Sequence, residues 1–517
     1  MRHQAPSILR AILLLVIATI LFRLPILINA RDVNSDAAAV ALQAMHLLRG
    51  EWSWLLWGPG YQSAIDPLIT APFFAIFGPS AHVLMIVPIL GQIVVASLAV
   101  IVLRKRIGTP PALLTVLPLL VVTNWGLTWP ILSANRQWCV AVIFAAVWLL
   151  DGAAASARPL LRYALGSFLG LFAIVIDLYA VLFAGGMLSL ILLCLLDPPC
   201  TRRIIARRAL IAGGAVLLAA AVFLVSRLNP SAQTAPAELT FERIGHNLEL
   251  LWNRCLPLAL GYGLYTDNVV HTQRSVRIAP MPWLALLIVG GWSLVAGIIG
   301  GAVLGITSRR VSWEARRLGI FGFVSALGAI TGFIFSVMPV DVWAVRYLGP
   351  MFWMAPFALA PLAAWLGARR LALAIAPWFL VATISGWLSY GFYVNGPMPR
   401  YSIGPAMHEI DQLRDLLRRR GIRYAAADYW LAYRLTFLFL EEPTIVPLQP
   451  DDDRYEPYRT AYLNEPVTAL IFHPHWPPER PEPYARYLDA NGIAYQTLQA
   501  GQYTVLIVTR QPPDRVH

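Results

Sequence analysis

Two aspartates and two arginines stand out in a chain otherwise poor in charge. Asp36 and Asp66 each lie near the start of a stretch of helix formers, and Arg136 and Arg346 each lie at the end of a long apolar run. An aspartate carboxylate can take a proton from a hydroxyl or an amine. It can equally do no more than cap a helix near its positive end. An arginine fork can hold a phosphate through paired hydrogen bonds, or its stem can lie along apolar surface while the head stays wet. His46, on the same helical stretch as Asp36, joins Tyr61 and Tyr347 as an accessory or acceptor-side candidate; the plain alternative makes His46 a bystander. The run Asp451-Asp452-Asp453-Arg454 reads as a solvated turn with at most a weak hold on a cation. His473 and His475 read as surface loop residues, too sparse for a metal site.

The elements that must position these residues are set by composition. Of 517 residues, 58% are hydrophobic and 13% charged, and the mean hydropathy is +0.62. Soluble domains carry about 25% charge, so the balance is that of a polytopic membrane protein. Apolar runs long enough to span fall near 8–30, 83–103, 111–129, 137–154, 161–177, 179–196, 209–227, 282–306, 318–337, 349–367 and 371–391. The first is too long for a signal-peptide core and is read as a retained helix. The net charge of +12 comes almost wholly from arginine, with Lys105 the one lysine. Its basic clusters (Arg2 and Arg10; Arg104 to Arg106; Arg158 and Arg162; Arg202 to Arg208; Arg309 to Arg317; Arg369 and Arg370) all fall on one side if there are eleven spans. That places the N-terminus in the cytoplasm and the C-terminus outside, and it explains the basic excess without nucleic acid.

External segments are then 31–82, a short loop at 130–136, the loop 228–281, the loop 338–348 and the tail from 392. Within 31–82, Asp36, Gln43, His46 and Arg49 follow one helical face and Leu42, Met45 and Leu48 the other, with Gly50 at the C′ position. That pattern predicts a helix lying in the membrane interface, beside a belt of Trp52, Trp54, Trp57 and Tyr61. A second short helix is expected with Asp66 as N-cap and Pro67 at its first position. The tail, 392–517, predicts a compact α/β domain with helices near 405–420 and 482–490 and strands near 422–427, 467–472 and 503–509. The cysteines do not share a soluble compartment: Cys139 and Cys194 lie in apolar runs, Cys200 in a cytoplasmic loop and Cys255 in an external one. No structural disulfide is expected.

The stretches NSDAAAVALQAMHLLRGEW (34–52), WGPGYQSAIDPLITAPFFAIFGPS (57–80), VRYLGPMFWMAP (345–356) and ADYWLAYRLTF (427–437) carry a resemblance. The chain resembles the GT-C superfamily of membrane glycosyltransferases, in particular the protein mannosyltransferase and aminoarabinose transferase branch. The resemblance implies about eleven transmembrane helices with an extracytoplasmic α/β domain at the C-terminus, in a cell (inner) membrane. It implies transfer of a sugar from a polyprenyl-phosphate donor to a lipid, glycan or protein acceptor outside the cytoplasm. In that family an aspartate early in the first external loop is the base, and Asp36 matches it. Many members carry an acidic pair there; here Ala37 follows, Asp32 is the nearest acid upstream, and Asp66 is a second candidate. Arg346, then Arg136, would stabilise the leaving phosphate. The branch implies no obligatory metal cofactor, with a divalent cation not favoured.

Two other classes remain on the sequence. A transporter or lipid flippase places ionisable groups at the bilayer midplane on broken helices, whereas the acids here sit at the outer boundary, Asp177 being assigned to an external helix hairpin. A polymer ligase or non-catalytic scaffold is the other. A transfer assay with a polyprenyl-phosphate sugar separates both from the transferase.

Overall fold

The computed structural model describes residues 5–28, 33–58, 60–121, 136–198, 201–228, 238–264, 277–278, 283–395, 405–474 and 480–509. Asp32, Cys200, His475, the far end of the run 111–129 and much of the loop 228–281 lie outside them.

The chain opens with α1 (Ala5–Ile28), followed by two helices of the first loop, α2 (Ser35–Leu48) and α3 (Ile65–Phe77). The helical bundle continues through α4 (Ala81–Ile107), the short α5 (Thr109–Thr115) and α6 (Leu117–Leu120), α7 (Arg136–Asp151), α8 (Pro159–Ile176), α9 (Val181–Leu195) and α10 (Arg202–Ser226). After α11 (Phe241–Leu250) and α12 (Leu256–Leu260) come α13 (Trp283–Thr307), α14 (Trp313–Ile334), α15 (Gly349–Ala358) and α16 (Ala360–Asn395). The fold is that of a polytopic helical membrane protein. Among the described residues, seven helices are long and apolar enough to cross a membrane, so the count of eleven is not established. Two of the differences fall at backbone breaks. The third run stops between α5 and α6, each with proline in its first turn. The run 349–367 is divided at Leu359, and α16 is broken at Gly367, whose φ of 71° a helix cannot hold.

The tail folds as α17 (Pro405–Arg419), β1 (Tyr424–Ala427), α18 (Tyr429–Leu438), β2 (Thr444–Pro447), α19 (Glu456–Asn464), β3 (Val467–Phe472), α20 (Pro481–Ala490), β4 (Tyr495–Ala500) and β5 (Tyr503–Thr509). The sheet order is β2-β1-β3-β5-β4. β1 lies parallel to β2 and β3, and β5 antiparallel to β3 and β4. The central strands β1 and β3 are almost wholly buried, as expected of strands covered on both faces. The expected helices and three strands are present; β2 and β4 are additional.

The first loop departs from expectation in three ways. The N-cap of α2 is Asn34, whose side chain accepts from the Ala37 amide at 2.8 Å, so Asp36 sits inside the first turn. Ala64 precedes α3 without a side-chain cap, and Asp66 is buried within it. Finally, α2 does not lie in the interface with a wet face. Eleven of its residues, Ser35 and Ala37 through His46, are buried, because it packs against α3 on one side and α18 of the sheet domain on the other. Its alanines let both neighbours approach closely. Gly50 does take the C′ position, with φ 91°. Cys255, expected in an external loop, is fully buried just before α12.

Candidate active site

α2 and α18 meet at their N-termini. The Ser35 hydroxyl donates to the Tyr429 carbonyl at 2.7 Å and accepts from the Arg434 amide at 3.3 Å. That junction fixes the next residue, Asp36, beside the first turn of α18. Asp36 Oδ1 accepts from the Tyr429 hydroxyl at 2.6 Å and from Arg454 Nη2 at 2.5 Å. The Arg454 guanidinium lies 4.9 Å from the Tyr429 ring centre. Burial pushes the Asp36 carboxyl up, but Arg454, the Tyr429 hydroxyl and the charge of Arg346 outweigh it and hold the group below the ordinary aspartate value. Asp36 is thus an ionised carboxylate, with about a third of its side chain exposed (32%).

Arg346 comes from a 3-10 turn, Val342–Leu348, that precedes α15. Its Nη2 donates to the Tyr347 hydroxyl at 3.1 Å, while its Nε is buried with no hydrogen-bond partner among the described residues. The turn is tied down by Tyr179, whose hydroxyl donates to the carbonyls of Arg346 (3.2 Å) and Tyr347 (3.4 Å). Arg136, at the start of α7, lies 4.2 Å from the Tyr179 ring centre and 5.8 Å from that of Tyr347. It also faces Asp177 at 3.9 Å.

Asp177 forms the helix hairpin expected of it, between α8 and Leu178–Ala180, and is fully buried. Its Oδ1 accepts from the Tyr179 amide at 2.8 Å and its Oδ2 from Gln62 Nε2 at 3.1 Å. The first loop is stitched to this hairpin: the Ser63 amide donates to the Ile176 carbonyl at 2.8 Å and the Leu178 amide to the Tyr61 carbonyl at 3.3 Å. Tyr61 therefore stands among these charges. Burial raises its pKa, with Arg136 opposing and Asp177, Tyr347 and Asp36 adding to the rise. Asp66 lies deeper. Its Oδ2 has no hydrogen-bond partner, and burial, reinforced by Asp177, pushes its pKa well above the aspartate range.

Of the residues singled out in the sequence, Asp36, Arg346, Arg136, Tyr61 and Tyr347 thus share one neighbourhood, and Asp66 lies behind it. His46 does not join them. It lies roughly 15 Å along α2 from Asp36, with Nδ1 2.8 Å from Glu51 Oε2 and Nε2 2.7 Å from Glu441 Oε1. Two expectations need correction. Arg454 is no member of a solvated turn, since it reaches Asp36; Asp453 of the same run pairs with Arg459 at 2.6 Å. His473 is largely buried beside Glu409. Nothing in the sequence points to the contact of Tyr429 with Asp36. Among the described residues no group of three or more His, Cys, Asp or Glu is placed to hold a metal ion.

No family model matches the chain, and no curated protein is significantly similar to it in sequence. Its fold is similar to that of two solved structures of ArnT from Cupriavidus metallidurans, one in the apo state and one bound to undecaprenyl phosphate. Each is 13% identical, with a TM-score of 0.56 over 97% of this chain and 99% of that one.

Proposed function

We propose that the protein is a membrane glycosyltransferase that moves a sugar from a polyprenyl-phosphate donor to an acceptor at the extracytoplasmic face of the inner membrane, with Asp36 as the general base. The observation that supports this most directly is an ionised, part-exposed Asp36 within the field of Arg346, whose buried Nε has no hydrogen-bond partner among the described residues. The fold likeness to ArnT, which has been solved with undecaprenyl phosphate, fits an isoprenoid donor.

In this reading the acceptor hydroxyl or amine gives its proton to Asp36 as its oxygen or nitrogen attacks the anomeric carbon. The bond from that carbon to the phosphate oxygen breaks, and the polyprenyl phosphate leaves. One displacement inverts the configuration at that carbon. Negative charge grows on the phosphate as it departs, and Arg346 supplies a donor already held in place by Tyr347 and Tyr179. Arg136 adds positive charge behind them. Asp66, buried behind the site with its pKa raised by burial and by Asp177, is assigned a supporting place under the site. The acceptor is a lipid, a glycan or a protein, and the site needs no metal for these steps.

The test is Asp36→Asn in the purified full-length protein. Asn34 supplies the helix cap, so melting should stay near wild type, while transfer should fall by roughly 10²–10⁴-fold because an amide cannot take the proton. Normal melting with normal transfer would remove Asp36 from the mechanism.

A further inference from the structure

Both donors to Asp36 Oδ1 come from the sheet domain, far along the chain from α2. Arg454 is itself built into place. Its amide donates to the Tyr433 hydroxyl at 2.5 Å, and its stem crosses Gly58 of the first loop so closely that a Cβ there would lie 2.5 Å from Arg454 Cγ. Gly58 also has φ 89°, a conformation that side-chain-bearing residues rarely adopt. Loop, strand-domain turn and α2 therefore interlock around a single carboxylate oxygen.

We infer that Arg454 and Tyr429 are positioning residues of the transfer site: they occupy Asp36 Oδ1 and leave Oδ2 to the acceptor, so the base is complete only when the sheet domain is docked on α2. This rests on the transferase reading of Asp36. The other titratable groups around α2 do not replace them. Arg346 from the bundle acts on Asp36 through its charge, and Tyr61 from the first loop is raised in pKa by burial, with Asp36 a smaller contributor. Arg434 of α18 meets α2 through its backbone amide. Asp66 of α3 is buried, which raises its pKa, and His46 is engaged by two glutamates at the far end of the helix. An opposite charge at this distance lowers an aspartate pKa by roughly 1–3 pH units, so Arg454 sets the acid limit of the base.

The experiment reads Asp36 protonation directly, by labelling the full-length protein with a water-soluble carbodiimide, which reacts with protonated carboxyls. The extent of labelling on the Asp36 peptide is followed by mass spectrometry across the acid range. In Arg454→Gln the labelling midpoint should move up by about one pH unit or more, Tyr429→Phe should move it less, and Arg454→Lys should restore much of it. The acid limb of transfer, assayed with radiolabelled undecaprenyl-phosphate sugars, should move with the midpoint. An unmoved midpoint in Arg454→Gln, with wild-type melting, would make Arg454 a structural tie and overturn the inference. If the midpoint moves but Asp36→Asn still transfers, the base reading fails instead, and with it the catalytic meaning of the pair.

Discussion

The Arg346 Nε is buried without an acceptor among the described residues. Leaving a buried donor unmet costs about 1–3 kcal/mol, which a phosphate oxygen would recover if the proposed donor binds there. Arg346→Ala should therefore weaken undecaprenyl phosphate binding at least tenfold and slow transfer by roughly two orders of magnitude. Arg346→Lys should regain only part of either, because a point charge replaces a planar fork. Isothermal titration in detergent checks the binding, and wild-type affinity in the alanine variant would leave Arg346 as an interfacial residue. Asp36 and Arg346 stand out in the sequence as charges beside apolar runs, where capping and snorkelling are the bland readings, and the structure brings the two into one neighbourhood. Arg454 and Tyr429 do not stand out. They belong to a polar tail where charge is ordinary, and nothing local signals a partner more than 390 residues away. Arg454 follows three aspartates, and those neighbours account for it so readily that its true partner is hidden.

At the scale of elements, α2 shows what periodicity can and cannot settle. The polar face of Asp36, Gln43, His46 and Arg49 is real, but protein and not water covers its middle, Gln43 and His46, and the two cases look alike in sequence. Gln43 bonds the loop backbone at Leu55 and Trp57, and His46 clamps the far end to the sheet domain. Both His46 ring nitrogens face carboxylates, so the imidazolium satisfies Glu51 and Glu441 together while the neutral ring turns a lone pair toward one of them. The clamp holds Leu440 and Glu441 at φ 53° and 67°, conformations that are unfavourable for these residues. Burial pushes the His46 pKa down, yet the two glutamates more than reverse this and leave it raised. Glu441 is brought down to about 2, burial being outweighed by His46, Arg49 and Tyr458. A raised histidine pKa contributes stability that is complete below the unfolded value and is lost as pH rises through the folded one. Melting temperature should accordingly fall as pH rises through and above the ordinary histidine range, and His46→Gln should flatten that part of the curve. The same decline in both proteins would mean that the imidazolium is not the clamp. Glu441, with a depressed pKa, weakens the clamp only at the acid extreme.

For the molecule as a whole, hydropathy located the apolar runs but not the breaks within them, since proline pairs and Gly367 interrupt helices without interrupting apolar character. The arrangement of charge was more informative than the count of spans. Arg106 of α4 bonds Asp151 at the end of α7 at 3.0 Å, and Arg317 of α14 joins Asp151 at 2.8 Å and also Asp197. Arg162 of α8 donates to the carbonyls of Trp148 and Leu149, and Arg208 of α10 to that of Leu195 at 3.1 Å. Four of the six basic clusters thus meet at one end of the bundle, their charges partly neutralised by two buried aspartates. α8 runs from this end to Asp177 at the candidate active site, a length of roughly 27 Å, close to the thickness of a bilayer core. The basic end and the site therefore lie at opposite ends of α8, and we propose from the positive-inside bias that the basic end faces the cytoplasm. A reporter fused after Arg369, in the sixth cluster, should read cytoplasmic, and one fused after Pro397, beyond α16, should read extracytoplasmic. The segment after Gly367 decides this outcome, because it alone separates the two fusion points. If both reporters read the same side, that segment does not cross. The sheet domain, which reaches Asp36, would then bring the site to the cytoplasmic face, where an acceptor outside the cell could not meet it.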